Sequence, residues 1–256
     1  MFSKDTYIKR RKKLKEHFTS GLLFFIGNDE SPMNYEANPY HFRQDSTFLY
    51  YFGLKNPGLF AIMDLDNEKD IIFGEDFTMD DFVWMGYQPP ISEQCKQVGV
   101  DHTDTLDKLR AILLEANDRG RPVHFLPPYR PEHQVKLLTY LGVFPGQAEE
   151  GASTALIKAI GEQRIIKTED EIVELEKAAN ITSDMHRAAM QFAQPGMKEA
   201  EVMAKVHEIA LAAGGNISFP IIATKNGQTL HNHYHGSTIQ EGDLFLLDAG
   251  AETALG

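Results

Sequence analysis

Cysteine, long hydrophobic runs and an excess of positive charge are all missing from this sequence. The single cysteine, Cys95, cannot form an intramolecular disulfide, which fits a reducing compartment. No apolar run approaches the ~18 residues of a membrane-spanning helix. Acidic side chains outnumber basic ones by 37 to 25, whereas nucleic-acid binding favours the opposite balance. These absences predict a cytoplasmic protein that binds neither membranes nor nucleic acids.

One strongly basic segment, residues 9–15, stands against the negative net charge of −12. Such a run can be a localisation signal or a nucleic-acid patch. No apolar segment and no small-residue cleavage site follow it, as a secretory signal would require. The spacing of Ile8 and Leu14 instead predicts an amphipathic helix whose basic face is solvated.

The overall composition is that of a folded globular chain. Hydrophobic residues make up 42% and charged residues 24% of the 256 residues, enough for one large domain or two ordinary ones. In the first half, apolar and β-branched segments between turn residues predict strands. These segments are residues 21–27, 48–52, 59–65, 69–73 and 122–126. Helical spacing over Leu106–Glu115 interrupts them, so the pattern predicts a layered α/β domain.

A second unit is predicted to begin near Arg164. Thr168 and Glu171 have the spacing of a capping box, and an apolar stripe from Leu175 to Phe192 predicts the helix behind it. A second helix is predicted over residues 198–213, where a pair of glycines ends it.

A β region is predicted after these helices. Asn226-Gly227 is typical of a hairpin turn, with strands at Ile217–Thr224 and Thr229–Tyr234 on its two sides. The apolar segment Leu244–Leu247 predicts a further strand. Two helices followed by such strands predict an α+β domain whose small sheet has an open edge.

Asp248 is the first candidate for chemistry, because it directly follows the apolar strand Leu244–Leu247. A carboxylate there is costly to bury unless it is paired or bound to a metal. The small residues Ala249 and Gly250 would allow close approach of a ligand to the backbone. A turn residue capping the strand end is the alternative interpretation.

Three histidines, at positions 231, 233 and 235, are the second candidate. On a strand they would alternate onto one face, where three imidazoles could bind zinc or copper. A single histidine lining a cleft, or a polar strand end facing solvent, remains an alternative.

Taken together, these segments resemble the pita-bread metallopeptidases, and within them the Xaa-Pro aminopeptidase (aminopeptidase P) branch. Asn226-Gly227 begins a segment that ends in Leu230-His231, like the one that carries the substrate-side histidine of the family. Asp248 lies seventeen residues after His231 in Leu-Leu-Asp-Ala-Gly-Ala-Glu, which resembles the segment of a metal-ligand aspartate. Residues 166–172 resemble the start of the first helix of the catalytic domain.

The resemblance extends into the first half of the chain. Residues 40–53 look like the Y-x-x-R-Q-x-S-x-F-x-Y-x-x-G signature of aminopeptidase P N-terminal domains, which methionine aminopeptidases lack. Trp84, the only tryptophan, matches a family tryptophan that reaches towards the active site of a neighbouring subunit. A core tryptophan is the alternative interpretation.

The resemblance implies a fold, a domain division and a site. Residues 1–163 would be a creatinase/prolidase-type N-terminal domain with a mixed sheet, and residues 164–256 an incomplete α+β pita-bread domain. Asp248 would bind metal, His231 would be catalytic and contact substrate, and Trp84 would bind substrate. The implied cofactor is a pair of Mn²⁺ ions, the implied substrate a proline-containing peptide, and the implied assembly a homo-oligomer, either dimer or tetramer.

Most metal ligands of the family lie after the segment that contains Asp248. We therefore expect the 256-residue chain to be truncated within the catalytic domain and inactive, although its parent is an aminopeptidase. Among enzymes, the alternative is a prolidase. Outside the enzymes, the alternatives are a non-catalytic pita-bread binding module and an N-terminal assembly domain.

Overall fold

The computed structural model describes residues 1–255, which divide into two compact units. Unit 1 is Met1–Ile166, and unit 2 begins at Lys167. This division lies a few residues after the boundary that the sequence predicts.

Unit 1 contains a five-stranded mixed sheet with the strand order β4-β3-β2-β1-β5. Its strands are β1 (Leu22–Ile26), β2 (Phe60–Asp64), β3 (Lys69–Phe73), β4 (His102–Asp104) and β5 (Val123–His124). Its helices are α1 (Lys4–Lys15), α2 (Ser46–Phe52), α3 (Met79–Met85), α4 (Ile91–Gln97), α5 (Leu106–Asp118), α6 (Pro131–Leu141) and α7 (Thr154–Ile165). Strand β1 runs antiparallel to β2 and parallel to β5. The predicted mixed α/β fold is confirmed.

Two hydrophobic cores cover the two faces of this sheet. Alternate residues of β1 point to opposite faces, so Leu23 and Phe25 enter one core while Leu22 and Phe24 enter the other. The first core includes residues of α1, α2, α4 and α7, among them the buried Cys95, and the second includes residues of α5 and α6. Unit 1 therefore has three layers, with the sheet between two helical layers.

The strand predicted over residues 48–52 is wrong, because this segment is helix α2. The Asp45 side chain caps the helix by accepting the backbone N–H of Phe48 at 2.8 Å. Gly53 ends it in the left-handed conformation, with φ of 62°. Phe48 and the pair Tyr51 and Phe52 are buried on one face. Their spacing of three and four residues is that of a helix, and the run is too short for periodicity alone to decide.

The predicted helix over the basic segment is confirmed as α1, but its fully solvated basic face is wrong. Arg10 and Arg11 are buried, whereas Lys12 and Lys13 are exposed. The Arg10 guanidinium lies over the Tyr50 ring, 3.9 Å from its centroid. Two of the basic residues thus hold the fold together instead of facing water.

Unit 2 has two long helices, α8 (Glu169–Phe192) and α9 (Glu199–Ala212), which share one hydrophobic core with four short strands. The strands form two antiparallel pairs. They are β6 (Asn216–Ile217) with β9 (Ala251–Glu252), and β7 (Ile222–Thr224) with β8 (Leu246–Asp248). The Thr168–Glu171 capping box predicted at the start of α8 is confirmed. Leu175, predicted on the apolar stripe, is exposed.

The predicted hairpin around Asn226-Gly227 is wrong. Residues 229–234 form no strand, and β7 pairs instead with β8, so that Ile222 lies opposite Asp248. The turn signal was real in a local sense, because the backbone N–H of Thr229 donates to the Asn226 carbonyl at 3.0 Å. The long-range pairing of β7 with β8 nevertheless replaces the local hairpin.

Within residues 1–255, no helix has the length and apolar character needed to cross a bilayer.

Candidate functional site

Asp248 is the last residue of β8, where the strand ends at Ala249-Gly250. Its side chain is exposed, and among residues 1–255 it has no hydrogen-bond or ion-pair partner. Because the carboxylate is not buried, the cost of burial that singled out Asp248 in the sequence does not apply. Gly250 allows the chain to pass close to Ser218, because a Cβ there would lie 2.6 Å from the Ser218 hydroxyl oxygen. Asp248 is thus held by its backbone with a free carboxylate.

Helix α8 fixes the backbone that follows Asp248. The His186 Nε2 atom lies 3.1 Å from the Ala249 carbonyl oxygen, so the imidazole donates there. The Ala251 backbone N–H donates to the Thr182 hydroxyl at 3.0 Å. Both α8 side chains lie one turn apart on the same face. Neither residue was predicted, since each contacts a segment more than sixty residues away.

The three histidines do not share a strand face. They lie in an irregular segment after β7, where the alternation of side chains does not apply. His231 and His233 are exposed, and His235 is half-buried with its Nδ1 atom 3.2 Å from the Ala223 carbonyl oxygen. The predicted face of three imidazoles is therefore wrong, while the alternative of one histidine open to a cleft remains for His231.

A buried carboxylate, Glu199, holds both ends of the histidine segment. One of its oxygens accepts the Thr224 hydroxyl at 3.0 Å and the Lys225 backbone N–H at 2.9 Å. The other oxygen accepts the Ser237 backbone N–H at 3.2 Å. Glu199 is fully buried, and a buried carboxylate is stable only with such partners.

The hydrogen bonds also set the charge of Glu199. Burial raises the pKa of this carboxyl. The opposing effect of its hydrogen bonds with Lys225, Thr224 and Ser237 is larger, so the pKa lies below the ordinary value. Glu199 is therefore ionised at neutral pH. The sequence places it in the first turn of a helix, where exposed carboxylates are also common, so no local signal distinguished it.

The described residues do not fit a complete two-metal site. No three side chains among the histidines, cysteines, aspartates and glutamates of residues 1–255 come close enough together to hold an ion. Asp248 offers one carboxylate, and a dinuclear site needs several such donors.

Trp84 lies on α3 of unit 1, and 86% of its side chain is exposed. The alternative of a core tryptophan is wrong. A capping box between Thr78 and Asp81 begins the helix, and none of its residues is buried. Met79 and Val83 on the same helix are exposed as well. An exposed apolar helix of this kind is typical of a contact surface.

The signature of residues 40–53 has a structural role in unit 1. The Gln44 side-chain oxygen accepts the backbone N–H groups of Asn28 and Asp45, at 2.7 and 2.8 Å. Its amide donates to the Asn56 carbonyl at 2.8 Å. At Gly53 a Cβ would lie 2.4 Å from the Tyr7 ring, which explains why the last position of the signature is glycine.

Two family models match the chain. The aminopeptidase P N-terminal domain matches residues 7–124, and metallopeptidase family M24 matches residues 173–255. Asp248 and His231 both lie in the second match, and Trp84 lies in the first.

Individual relatives agree with these matches. A probable Xaa-Pro aminopeptidase of Chaetomium globosum is 29% identical over 91% of this chain and 38% of its own length. The Xaa-Pro dipeptidase of Homo sapiens is 28% identical over 82% of this chain and 44% of its own length. The chain thus spans less than half the length of these curated relatives.

The fold has a solved counterpart in the Pseudomonas aeruginosa aminopeptidase PepP. The two structures superpose with a TM-score of 0.83 at 23% identity, over 98% of this chain and 59% of the other. At this identity the likeness establishes the fold alone.

Proposed function

We propose, because residues 173–255 match metallopeptidase family M24 and residues 7–124 match the aminopeptidase P N-terminal domain, that the complete protein is a metal-dependent Xaa-Pro aminopeptidase. The observation that carries the proposal is the order of the two matches along one chain. A metallopeptidase segment with His231 and Asp248 follows an N-terminal domain that carries the aminopeptidase P signature. The reaction is hydrolysis of the bond between an N-terminal residue and a following proline.

Each predicted site residue has a proposed role that its surroundings support. Asp248 contributes one carboxylate ligand to a divalent-metal site, for which Mn²⁺ is our proposal because carboxylate-rich sites favour hard or borderline ions. The metal, when bound in the complete protein, supplies activation of water. His231 is exposed and without a partner among residues 1–255, so its imidazole is free to hydrogen-bond the substrate or the charge developing on its carbonyl oxygen.

Trp84 is proposed to contact the substrate in a second copy of the protein. Its exposed position on α3, next to the exposed Val83, is what such a contact between copies requires. This role implies a homo-oligomer, for which we propose a dimer or tetramer. Light scattering on the purified protein tests the assembly, and a strict monomer would contradict it.

The central experiment is a peptidase assay on the complete protein loaded with Mn²⁺ or Zn²⁺. We expect release of the first residue from Xaa-Pro peptides, strongest with Mn²⁺, and a large loss of kcat/KM in His231→Ala. Residues 1–256 alone serve as the control: because no three metal donors come together among residues 1–255, we expect no turnover and metal only at background level. Absence of turnover by the complete protein with either metal would refute the proposal.

A prolidase is the second candidate, supported by the similarity to the human Xaa-Pro dipeptidase. The two activities separate by substrate length, since a prolidase cleaves dipeptides only. An aminopeptidase should cleave an Xaa-Pro-Xaa tripeptide, whereas a prolidase should leave it intact. A protein that binds these peptides but cleaves none would instead be a non-catalytic binding module.

A further inference from the structure

We propose that Glu199 is a positioning residue for His231, and that its buried carboxylate closes the base of the loop 224–237 on which the histidine lies. This inference rests on the proposed function, because it assigns a purpose to the placement of His231. None of the sequence motifs contains Glu199.

The geometry shows how one side chain controls both ends of the loop. One carboxylate oxygen binds the Thr224 hydroxyl and the Lys225 N–H, where the loop leaves β7. The other oxygen binds the Ser237 N–H, where the loop returns to α9. The Glu199 backbone N–H also donates to the Ser237 carbonyl at 3.0 Å. Hydrogen bonds to a buried carboxylate are stronger than those between neutral groups, so both ends are held firmly.

The contact continues from Glu199 to the neighbour of His231. The Thr224 hydroxyl donates to Glu199 and accepts the Asn232 side-chain amide at 3.0 Å. The Asn232 side-chain oxygen Oδ1 in turn accepts the Tyr234 backbone N–H at 3.0 Å. The Asn232 side chain is thus fixed on both sides, directly after His231 in the chain. The His231 imidazole makes no contact of its own within residues 1–255, so its backbone is held by its neighbour Asn232 and, further along the loop, by His235 at the Ala223 carbonyl.

Both side-chain oxygens of Glu199 act only as acceptors, so a substitution that introduces a donor of the same shape tests their role most directly. Glu199→Gln keeps the shape but replaces one acceptor with an N–H donor that faces another donor. Thr224→Val likewise keeps the shape and removes the hydroxyl, whereas Thr224→Ser retains it. Glu201→Gln is the matched control, because this exposed carboxylate of the same helical turn binds, within residues 1–255, only the Lys198 backbone N–H.

The first test needs no activity. In the 256-residue chain labelled with ¹⁵N-histidine, with the His231 signals assigned from His231→Ala, we expect Glu199→Gln and Thr224→Val to shift or broaden those signals. Thr224→Ser and Glu201→Gln should leave them close to the parent. If Glu199→Gln fails to fold, the His231 signals of Thr224→Val and Thr224→Ser provide the test. Unchanged His231 signals in Thr224→Val would overturn the proposal.

The second test separates positioning from simple loss of stability. In the complete enzyme, Glu199→Gln should lower kcat/KM for an Xaa-Pro peptide at least about tenfold. Thr224→Val should also lower kcat/KM, whereas Thr224→Ser should have a kcat/KM close to that of the parent. In a His231→Ala background the same Glu199→Gln change should have almost no effect, because the two residues act as one unit. If Glu199→Gln lowered kcat/KM by the same factor with and without His231→Ala, the proposal would be overturned. If the parent hydrolyses no Xaa-Pro peptide, the proposed function fails, and the histidine spectra still decide the role of Glu199.

Discussion

Arg11 joins four parts of unit 1 through a single buried side chain. Its guanidinium donates to the Asp70 carboxylate and to the backbone carbonyls of Tyr51, Val98 and Gly99, all within 2.9 Å. Burial lowers the pKa of Arg11, and the Asp70 carboxylate opposes this effect. The side chain therefore satisfies carbonyl groups that would otherwise be buried without a donor.

We expect Arg11→Met to lower the free energy of unfolding by about 3–5 kcal/mol, because three backbone carbonyls lose their donor and Asp70 keeps only its ion pair with Lys15. Urea unfolding followed by circular dichroism measures the change. Lys12→Met is the matched control: this neighbour on α1 is exposed, and its removal should leave the midpoint nearly unchanged. Equal effects of the two substitutions would show that the Arg11 contacts contribute no more than a surface charge.

At the scale of elements, the turn between β2 and β3 is tied to the segment that leads into β5. The Arg121 guanidinium binds the Asp64 carboxylate at 2.7 Å and the Asp66 carboxylate at 2.9 Å. Burial raises the pKa of Asp64, but its hydrogen bonds with Asn67 and Arg121 outweigh this and lower it overall. Asp64 therefore stabilises the fold as an anion.

The sign of this shift predicts how stability depends on pH. The contribution of Asp64 is complete above its unfolded pKa of about 4 and is lost as the pH falls through its lower folded pKa. We expect Arg121→Met to cost about 2 kcal/mol at pH 7, and the difference from the parent to shrink below pH about 4. Thermal melts between pH 7 and 2 test this.

Arg119→Met is the control for that experiment. Arg119 pairs with Glu115 on α5, but both side chains are largely exposed, so the substitution should change the melting temperature little at any pH. A difference between Arg121→Met and the parent that persisted unchanged to pH 2 would contradict the role of Asp64.

In unit 1, local patterns predicted four of the five strands, β1, β2, β3 and β5, but only the helices α1 and α5. The run Phe48–Phe52 has the composition of a strand, but its buried residues have helical spacing, and the cap at Asp45 and the glycine at position 53 mark the ends of the helix. The segment 229–234 satisfied the hairpin pattern, yet β8 took the position beside β7. Composition describes a segment alone, whereas pairing is decided by segments far along the chain.

The candidate site shows the same limit more clearly. His231 and Asp248 were found because each lies in a short recognisable segment. Glu199 was not, because its significance comes from contacts with residues 25 and 38 positions further on. The burial of Arg11 was likewise invisible, since its carbonyl partners lie 40 to 88 residues away. A sequence indicates which groups carry chemistry more readily than which groups position them.

At the scale of the whole molecule, the two units differ in how their cores and sheets are built. Unit 1 has two cores, one on each face of a five-stranded sheet. Unit 2 has one core, and its strands are only two or three residues long. Short two-stranded ladders contribute little stability by themselves.

We therefore expect residues 1–166, expressed alone, to unfold in one cooperative transition and to give a well-dispersed NMR spectrum. Residues 167–256 alone should keep their helical circular dichroism, because α8 and α9 share a core, but the amide protons of β6 to β9 should exchange faster than those of β1 to β3. Hydrogen exchange followed by NMR on residues 1–256 measures both sets of strands in one sample. Equal protection of the two sets would show that the core shared by α8 and α9 holds its short strands as firmly as the five-stranded sheet holds its own.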